Sequence, residues 1–371
     1  MVFRPGTVES VALIAADPAR DFWRGRRVVV TGHTGFKGAW LSFWLRRLGA
    51  EVAGFALDPQ PGLNAFRLSG LAAHMDSRIG DIRDGSAIEA CITSHRPTVI
   101  FHLAAQALVR AGIADPVGTY ETNAIGTANV LLAARACESI RAIVVATSDK
   151  CYDLRAGAAR HSEEDPLGGD EPYSASKASA EHVVSSLRAT WPKSGAAARI
   201  AVARAGNVIG GGDWSTDRLV PDAIAAFAAG LPLELRYPDA IRPWQFVLDP
   251  LFAYLDFARL LLAEGGDSVA RAWNLGPSPD HERPVAWVAD ALAAAWGAGA
   301  TWRQAAGVHP VEATALRLDS SAAARSLGWR SRVGLAESIR RTVAWYRAQL
   351  GGADVATLMD EEIERFEAAA A

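Results

Sequence analysis

The sequence is poor in cysteine. Three cysteines occur in 371 residues, at Cys91, Cys137 and Cys151, and this odd, scattered set offers neither a disulfide framework nor paired metal ligands. The eight histidines show no metal-ligand spacing. We therefore predict that the protein binds no metal and works in a reducing compartment, the cytoplasm.

Long apolar runs and clusters of basic residues are also scarce. The longest apolar run near the start, Val11–Ala16, is too short to cross a bilayer and lacks the basic flank of a signal peptide. Lysine and arginine total 38 against 41 acidic residues, and no run of them concentrates positive charge. We therefore expect neither a membrane nor a nucleic acid as a partner.

Strand-length apolar runs alternate with helical stretches up to about residue 210. Strands are predicted at Arg27–Thr31, Glu51–Leu57, Val99–Leu103, Ala142–Thr147 and Ile200–Ala205. Helices are predicted at Lys37–Leu48, Thr127–Cys137 and Ser174–Thr190. This alternation predicts an α/β fold, in which helices cover both faces of a doubly wound parallel sheet.

The chain is predicted to divide into three parts. Residues 1–20 form an N-terminal extension, and residues 21–210 form the sheet domain. Residues 211–371 mainly form a smaller C-terminal α/β domain that binds substrate, with some segments returning to the first domain. Helices are predicted there at Val220–Ala229, Pro250–Leu262, Val285–Trp296, Asp319–Leu327 and Leu335–Leu350.

A glycine-bearing turn joins the first predicted strand to the first helix. Glycines at every third position allow a tight turn and close approach of a pyrophosphate to a helix N-terminus. Asp58 follows at the end of the second strand, where a carboxylate binds a ribose hydroxyl and repels a 2′-phosphate, although it could simply end the strand. The turn predicts an NAD-binding Rossmann domain, with a purely structural turn as the alternative; its residues are Gly32, His33, Thr34, Gly35, Phe36, Lys37 and Gly38.

Tyr173 and Lys177 lie four residues apart, on one face of a predicted helix. A phenol with a pKa near ~10 is a poor base at neutral pH. A nearby ammonium and a positive nicotinamide ring would favour the phenolate. The alternative is a helix-start aromatic beside a solvated lysine, but the preceding glycine turn favours a catalytic pair.

The glycine spacing and the Tyr/Lys pair resemble the short-chain dehydrogenase/reductase superfamily. In its epimerases, small hydroxyl residues and then neutral ones follow the strand before the Tyr/Lys helix, whereas its sugar-nucleotide 4,6-dehydratases carry a hydroxyl residue, an Asp and a Glu. This chain has Ser148, Asp149 and Lys150 there, which resembles the CDP-glucose 4,6-dehydratases. The resemblance covers residues 21 to about 350, departs at Phe246, where a histidine is expected, and includes the stretches Phe101–Gln106, Arg204–Trp214 and Arg242–Gln245.

The resemblance implies conversion of CDP-D-glucose to CDP-4-dehydro-6-deoxy-D-glucose and water, with NAD as the cofactor. Tyr173 would take the proton of the sugar 4-hydroxyl, and a protonated Asp149 would donate to the departing 6-hydroxyl. Lys150 would either remove the C5 proton as a neutral base or stabilise the enolate by its charge, unless it is only a surface lysine. Ser148 and Lys177 complete the implied catalytic set.

Further contacts are implied by the same resemblance. For the cofactor, they are Asp81 and Ile82 at the adenine, Ala104 and Ala105 at the ribose and phosphates, and Asn123, which orders the catalytic lysine through water or instead caps a helix. For the nucleotide diphosphate, to whose oxygens the arginine fork is suited, they are Gln106, Arg110, Asn207, Arg218, Arg242 and Trp244. A homodimer that pairs through the helices of Asn123 and Tyr173 is also expected.

Three other functions remain open at this point. The first two are a 4,6-dehydratase for another sugar nucleotide, carrying dTDP, UDP or GDP, and a nucleotide-sugar 4-epimerase. The third is a dinucleotide-sensing protein without catalysis, against which the intact Tyr/Lys pair argues. Surface ion pairs are the alternative role for each arginine.

Overall fold

The computed structural model of the chain describes residues 16–59, 61–156, 159–191, 198–297, 299–307 and 314–369. In chain order, its strands are β1 (Arg27–Thr31), β2 (Glu51–Ala56), β3 (Asp76–Ile79), β4 (Val99–His102), β5 (Ala142–Ala146), β6 (Arg199–Ala205), β7 (Asn207–Ile209), β8 (Leu233–Leu235), β9 (Ile241–Phe246), β10 (Ala272–Leu275), β11 (Glu282–Pro284) and β12 (Trp302–Gln304).

The α-helices are α1 (Ala16–Trp23), α2 (Phe36–Arg47), α3 (Ala65–Leu68), α4 (Gly85–His95), α5 (Val109–Ala114), α6 (Pro116–Tyr120), α7 (Gly126–Ala136), α8 (Pro172–Thr190), α9 (Leu219–Ala228), α10 (Leu248–Leu262), α11 (Val285–Trp296), α12 (Ser321–Leu327), α13 (Leu335–Leu350) and α14 (Val355–Ala368). A π-helical turn, Glu121–Ile125, joins α6 to α7. Short 3-10 helices lie at Leu71–His74, Asp149–Cys151, Leu154–Ala156, Gly266–Ser268 and Pro279–His281.

Seven of the strands in the described ranges form one sheet, in the order β3-β2-β1-β4-β5-β6-β10. Every neighbouring pair in it is parallel. The direction of winding reverses between β1 and β4, and at such a reversal a crevice opens beyond the carboxyl ends of the strands. The predicted doubly wound parallel sheet is therefore confirmed.

The apolar run of β1 shows why this sheet is buried on both faces. Val28 and Val30 pack into one core with Trp40 and Trp44 of α2. Val29 points to the opposite face, into a second core that includes residues of α4 and α7. Successive side chains of a strand alternate between faces, so a strand covered on both sides must be apolar at every position.

The C-terminal part adds a smaller α/β layer. Strand β9 pairs in parallel with β7 and antiparallel with β11, and β8 pairs with β12. Strand β10 lies in the large sheet, where it pairs in parallel with β6. Of the predicted extension, residues 1–15 lie outside the described residues, and residues 16–20 belong to α1. Within the part of the chain described here, none of the helices has the length and apolar character needed to span a bilayer.

Candidate active site

A cavity of about 330 Å³ lies beyond the carboxyl ends of β1, β4, β5 and β6. Loops of the large sheet form one wall, and α9, β8 and β9 of the smaller layer face it. All five predicted catalytic residues line this cavity: Ser148, Asp149, Lys150, Tyr173 and Lys177. The topology thus gathers side chains from the end of β5 and from α8 at one place.

The segment after β5 presents a buried carboxyl group to the cavity. Ser148 caps the 3-10 helix Asp149–Cys151: its Oγ accepts from the Lys150 amide at 3.2 Å and donates to Asp149 Oδ1 at 3.0 Å. The other oxygen, Asp149 Oδ2, has no hydrogen-bond partner within the described residues, and Asp149 is 3% exposed. Burial raises the pKa of Asp149, against the opposing charges of Lys150 and Arg242 and the bond from Ser148. This environment favours the protonated acid.

Tyr173 stands in the first turn of α8. The Glu171 carboxylate caps this helix by accepting from the amides of Tyr173 at 2.7 Å and Ser174 at 2.9 Å. Burial raises the pKa of Tyr173 to about 12, although a hydrogen bond with Ser148 and the charge of Arg218 act in the opposite direction. The chain's own groups therefore do not activate the phenol at neutral pH, and a further positive charge is needed.

Two buried ammonium groups face the same cavity. Burial, and then repulsion by Lys37, lowers the pKa of Lys177 to about 8, while Glu181 partly offsets the effect. Burial and the charge of Arg218 lower the pKa of Lys37 to about 8, and Asp149 opposes them. Lys37 Nζ donates to Tyr254 Oη at 3.3 Å. The side chain of Lys37 thus reaches Tyr254 of α10, and the contribution of this residue to a phosphate site would come from its backbone amide.

The glycine turn has the shape of an anion cradle. Gly32 has a φ of +76°, and a Cβ there would lie 2.7 Å from Ala104 N. A Cβ on Gly38 would lie 2.0 Å from Gly32 O. Gly35 precedes α2, and no side chain of the described residues caps that helix. The first amides of α2 can therefore point at a bound phosphate.

His33 and Thr34 brace this turn from the side of β2 and β3. His33 Nε2 lies 2.8 Å from Ser77 Oγ, and the ring fills the space that a side chain at Gly54 would need. Burial lowers the pKa of His33 to about 4, so the imidazole is neutral at pH 7. Thr34 Oγ1 donates to Leu57 O at 2.9 Å. Both side chains support the turn and leave its amides accessible.

The residues predicted at the adenosine end lie along the same edge of the sheet. The Asp58 carboxylate is exposed and pairs with Arg67 at 3.2 Å, two residues after β2. Asp81 pairs with Arg83 at 2.6 Å, and the bond from Arg83 lowers the pKa of Asp81. Ile82 is buried. These contacts leave room for the predicted roles of all three residues, which stay predictions.

Two further predicted residues stand where the fourth strand ends. The amide of Ala104 donates to Thr31 Oγ1 at 3.2 Å. Ala105 and Phe36 line the cavity.

No group of three or more His, Cys, Asp or Glu residues that could hold a metal ion occurs in the ranges described above.

Asn123 occupies the π-helical turn between α6 and α7. Its Oδ1 accepts from the Gln106 amide at 2.8 Å, and its Nδ2 donates to Gln106 O at 2.9 Å and to Ser176 Oγ at 2.8 Å. Because helical residues flank it on both sides, the helix-cap alternative does not apply. Gln106 is not among the cavity-lining residues, since its side chain donates to Thr119 Oγ1 at 2.9 Å.

The remaining predicted substrate residues all line the cavity: Arg110, Asn207, Arg218, Arg242 and Trp244. Arg110 and Arg236 both donate to Asp217 Oδ1, at 2.6 and 2.9 Å. Arg218 pairs with Asp213 at 3.3 Å, so the arginine pairs belong to the cavity and not to a remote surface. Several guanidinium groups around two carboxylates suit a diphosphate.

Sequence reasoning missed Asp217, Asp222 and Arg236 in this cavity wall. Burial, with the charge of Asp217, raises the pKa of Asp222 to about 6. No spacing pattern links these residues to Arg110, since folding alone brings them together.

Phe246 stands where the resemblance to the CDP-glucose 4,6-dehydratases leads us to expect a histidine. Its ring is buried, with its centre 4.6 Å from the guanidinium carbon of Arg341.

Comparison with known proteins gives a consistent result. A CDP-glucose 4,6-dehydratase from Salmonella typhimurium is 42% identical over 353 residues, which cover 94% of this chain and 98% of that protein. A dTDP-glucose 4,6-dehydratase from Xanthomonas campestris is 27% identical over 338 residues, 86% of this chain and 92% of that protein. The structure of a UDP-glucose 4-epimerase from Thermus thermophilus in complex with NAD is similar with a TM-score of 0.72 and 27% identity, covering 86% of this chain and 99% of that one.

A family profile gives the assignment. Residues 29–342 match the profile of the GDP-mannose 4,6 dehydratase family, from β1 to within α13. The match covers the glycine turn, the residues that line the cavity and, apart from the first two residues of β1, the strands of all three sheets of the described residues. The resemblance to the sugar-nucleotide dehydratases predicted from the motifs is confirmed, and this chain belongs to the GDP-mannose 4,6 dehydratase family.

Proposed function

We propose that the chain is a CDP-glucose 4,6-dehydratase, a hydro-lyase that converts CDP-D-glucose to CDP-4-dehydro-6-deoxy-D-glucose and water. The observation that carries the proposal is the meeting of Tyr173, Asp149 and Lys150 in one cavity. A hydroxyl-oxidising Tyr/Lys pair alone would also suit an epimerase. A buried acid beside it adds the means to expel a hydroxyl group. The choice of CDP is supported by the Salmonella relative.

The residues present fit NAD as the cofactor. The uncapped start of α2 would hold the pyrophosphate, Asp58 a ribose and Asp81 with Ile82 the adenine. When bound, NAD supplies the acceptor of a hydride from sugar C4 and its donor to C6, so the reaction consumes no external reductant. Its positive nicotinamide is also the added charge that would lower the pKa of Tyr173.

Tyr173 acts first. Its phenolate would take the proton of the 4-hydroxyl as C4 becomes a ketone. The buried Lys177 ammonium and the Ser148 hydroxyl would stabilise that phenolate, since the Ser148 bond opposes the rise that burial causes in the pKa of Tyr173. The resulting ketone makes the C5 proton acidic, which prepares the elimination.

Asp149 completes the elimination. The C5–H bond breaks, a C5–C6 double bond forms, and the 6-hydroxyl leaves as water with the proton that Asp149 donates. When hydride then adds to C6, C5 takes up a proton, so the net change is the loss of one water. Burial raises the pKa of this carboxyl group and so favours its protonated form, and its Oδ2, which has no hydrogen-bond partner within the described residues, is available to the substrate. Lys150 would either accept the C5 proton or stabilise the enolate. Loss of C5 proton exchange in Lys150→Met would support the base, whereas unchanged turnover would remove Lys150 from the mechanism.

The assembly and compartment follow from other features. Apolar side chains stand exposed on α5 to α7 and on the π-helical turn that carries Asn123, one of the two segments through which two copies are predicted to pair. They support a homodimer, and they are Ile113, Val117, Tyr120, Ile125 and Leu132. All three cysteines are unpaired, which supports a cytoplasmic enzyme.

The test is to incubate the purified protein and NAD with CDP-, dTDP-, GDP- and UDP-glucose and to identify 4-keto-6-deoxy products. We expect product from CDP-glucose, and with C4-deuterated substrate we expect the label at C6. A 4-epimer as the product would support the epimerase instead. Label retained at C4 or lost to solvent would contradict the proposed route. Preference for another nucleotide would refute only the CDP assignment.

A further inference from the structure

A charged pair lies buried directly behind the catalytic residues. Arg204 of β6 donates from Nε and Nη2 to the two carboxylate oxygens of Glu181 in α8, at 3.0 Å each. The two side chains are 5% and 4% exposed. Glu181 follows Lys177 by one helical turn and Tyr173 by two, so the pair is attached to the helix that carries the proposed base.

The same pair holds both ends of the segment that carries the proposed acid. Thr147 Oγ1 donates to Glu181 Oε1 at 2.6 Å, immediately before Ser148. Arg204 Nη1 donates to Tyr152 Oη at 2.8 Å, immediately after Cys151. The segment 148–151 is thus tied to Glu181 at its start and to Arg204 at its end.

The Tyr152 end is fixed further by Asn274 of β10 and by His161 in the segment before α8. Tyr152 Oη donates to Asn274 Oδ1 at 2.6 Å. The Tyr152 ring stacks on His161, with ring centres 4.8 Å apart and planes 9° from parallel. Asn274 Nδ2 donates to His161 O at 2.8 Å, which closes the network. Every member of this network is buried, so the contacts do not compete with solvent.

Stability alone is a weak explanation for such a pair. Burying two charges costs about as much as their attraction returns, and apolar replacements of similar volume are often neutral or stabilising. A buried pair can instead specify one arrangement of the groups around it. Around the pair of Glu181 and Arg204, these groups are the two ends of segment 148–151 and the helix α8, which carries Tyr173.

We propose that Glu181 and Arg204 are positioning residues, which hold the segment Ser148–Cys151 in register with Tyr173 so that acid and base reach the same substrate. This inference rests on the proposed function. Neither side chain lines the cavity, so neither is expected to touch the substrate. Their effect is transmitted through Thr147 and Tyr152.

The two halves of the reaction should respond differently to a shift of this segment. Oxidation at C4 depends mainly on Tyr173, which sits on α8 and keeps its own helix cap, and only secondarily on the Ser148 hydroxyl that bonds to it. Elimination depends on Asp149, whose segment would shift when either end is released. A misplacement of about 1 Å can cost about a hundredfold in rate. Elimination should therefore slow more than oxidation when the hydrogen bond of Thr147 to Glu181 or that of Arg204 to Tyr152 is removed.

Three variants test this. Thr147→Val and Tyr152→Phe each remove one hydroxyl group while keeping the shape, and Glu181→Gln removes the charge. The matched control is Glu362→Gln, because Glu362 accepts from Arg341 Nε at 2.6 Å in a second buried pair, with side chains 5% and 8% exposed, that does not line the cavity. Thermal unfolding of each variant reports any general loss of stability.

The measurements are kcat, KM, the absorbance of reduced nicotinamide during turnover and the exchange of the C5 proton with solvent. For Thr147→Val and Tyr152→Phe we expect kcat to fall about tenfold to a hundredfold, with KM nearly unchanged and reduced nicotinamide accumulating. We expect Glu362→Gln to lower the unfolding temperature without accumulation. Uniform loss of both half-reactions, or full activity in both hydroxyl variants, would overturn the proposal. Product from CDP-glucose with the unaltered protein reports on the proposed function separately.

Discussion

Lys177→Met should make the ligand-free protein more stable and inactive. Lys177 is 6% exposed, and burial lowers the pKa of its ammonium from 10.5 to about 8. The charged form is therefore disfavoured in the folded chain relative to the unfolded chain. Methionine fills a similar volume without charge, so the substitution removes this cost together with the catalytic group.

The size of the effect follows from the pKa difference. At about 1.4 kcal/mol per pH unit, a pKa lowered from 10.5 to about 8 corresponds to about 3 kcal/mol of folding free energy. Below pH 8 the lysine is protonated in both states, and the folded chain carries the full cost. Between about pH 8 and 10.5 only the unfolded chain keeps the proton, so stability rises with pH. Above this range the lysine is neutral in both states, and the cost vanishes.

Urea unfolding of ligand-free protein at pH 7 and pH 10 measures this directly. Relative to the unaltered chain, we expect Lys177→Met to gain about 3 kcal/mol at pH 7 and less than about 1 kcal/mol at pH 10. Lys177→Arg keeps a charge that cannot be titrated and serves as the control, for which no gain is expected at either pH. If Lys177→Met is no more stable at pH 7, or if its gain persists at pH 10, the reasoning about the buried ammonium is wrong.

Three further results are expected. Asp149→Asn keeps the shape but cannot donate the proton, so dehydration should slow about 10²- to 10⁴-fold while C4 oxidation persists, as seen by reduced nicotinamide in stopped flow; equal loss of both would contradict the acid role. Gly38→Ala places a Cβ 2.0 Å from Gly32 O, so NAD binding measured by calorimetry should be lost, and unaltered affinity would refute the cradle. Ile125→Asp charges an exposed apolar position, so light scattering should report monomers if the α5–α7 face pairs two copies.

Local patterns in the chain were sufficient for most of the sheet. The strand β1 and the helices α11 and α13 begin and end at the predicted residues. Their signals are local, because a buried parallel strand is apolar throughout and a surface helix repeats its apolar positions every three or four residues. The segments β3 and α14 escaped prediction. Strand β3, Asp76–Ile79, is short and polar at the rim of the sheet, and α14 is secured mainly by distant contacts such as that between Arg47 and Glu367.

Short sequence motifs likewise predicted which residues line the site. The glycine turn, the Tyr173/Lys177 pair and Asp149 beside Lys150 each depend on spacing within a few residues. The resemblance to the sugar-nucleotide dehydratases rests on those motifs, and the family profile confirms it.

The pKa values of these residues and their contacts with distant parts of the chain depend on the folded structure. Burial raises the pKa of Asp149, and no neighbouring residue in the chain specifies that burial. Several contacts at the site connect residues far apart in sequence. Arg110 bonds to Asp217 in the cavity wall, and Glu181 and Arg204 bond to Thr147 and Tyr152 at the two ends of segment 148–151. Residue types and spacings are local properties of the chain. The burial of a side chain and its contacts with residues distant in sequence exist only after the sheet has folded and its two faces are covered.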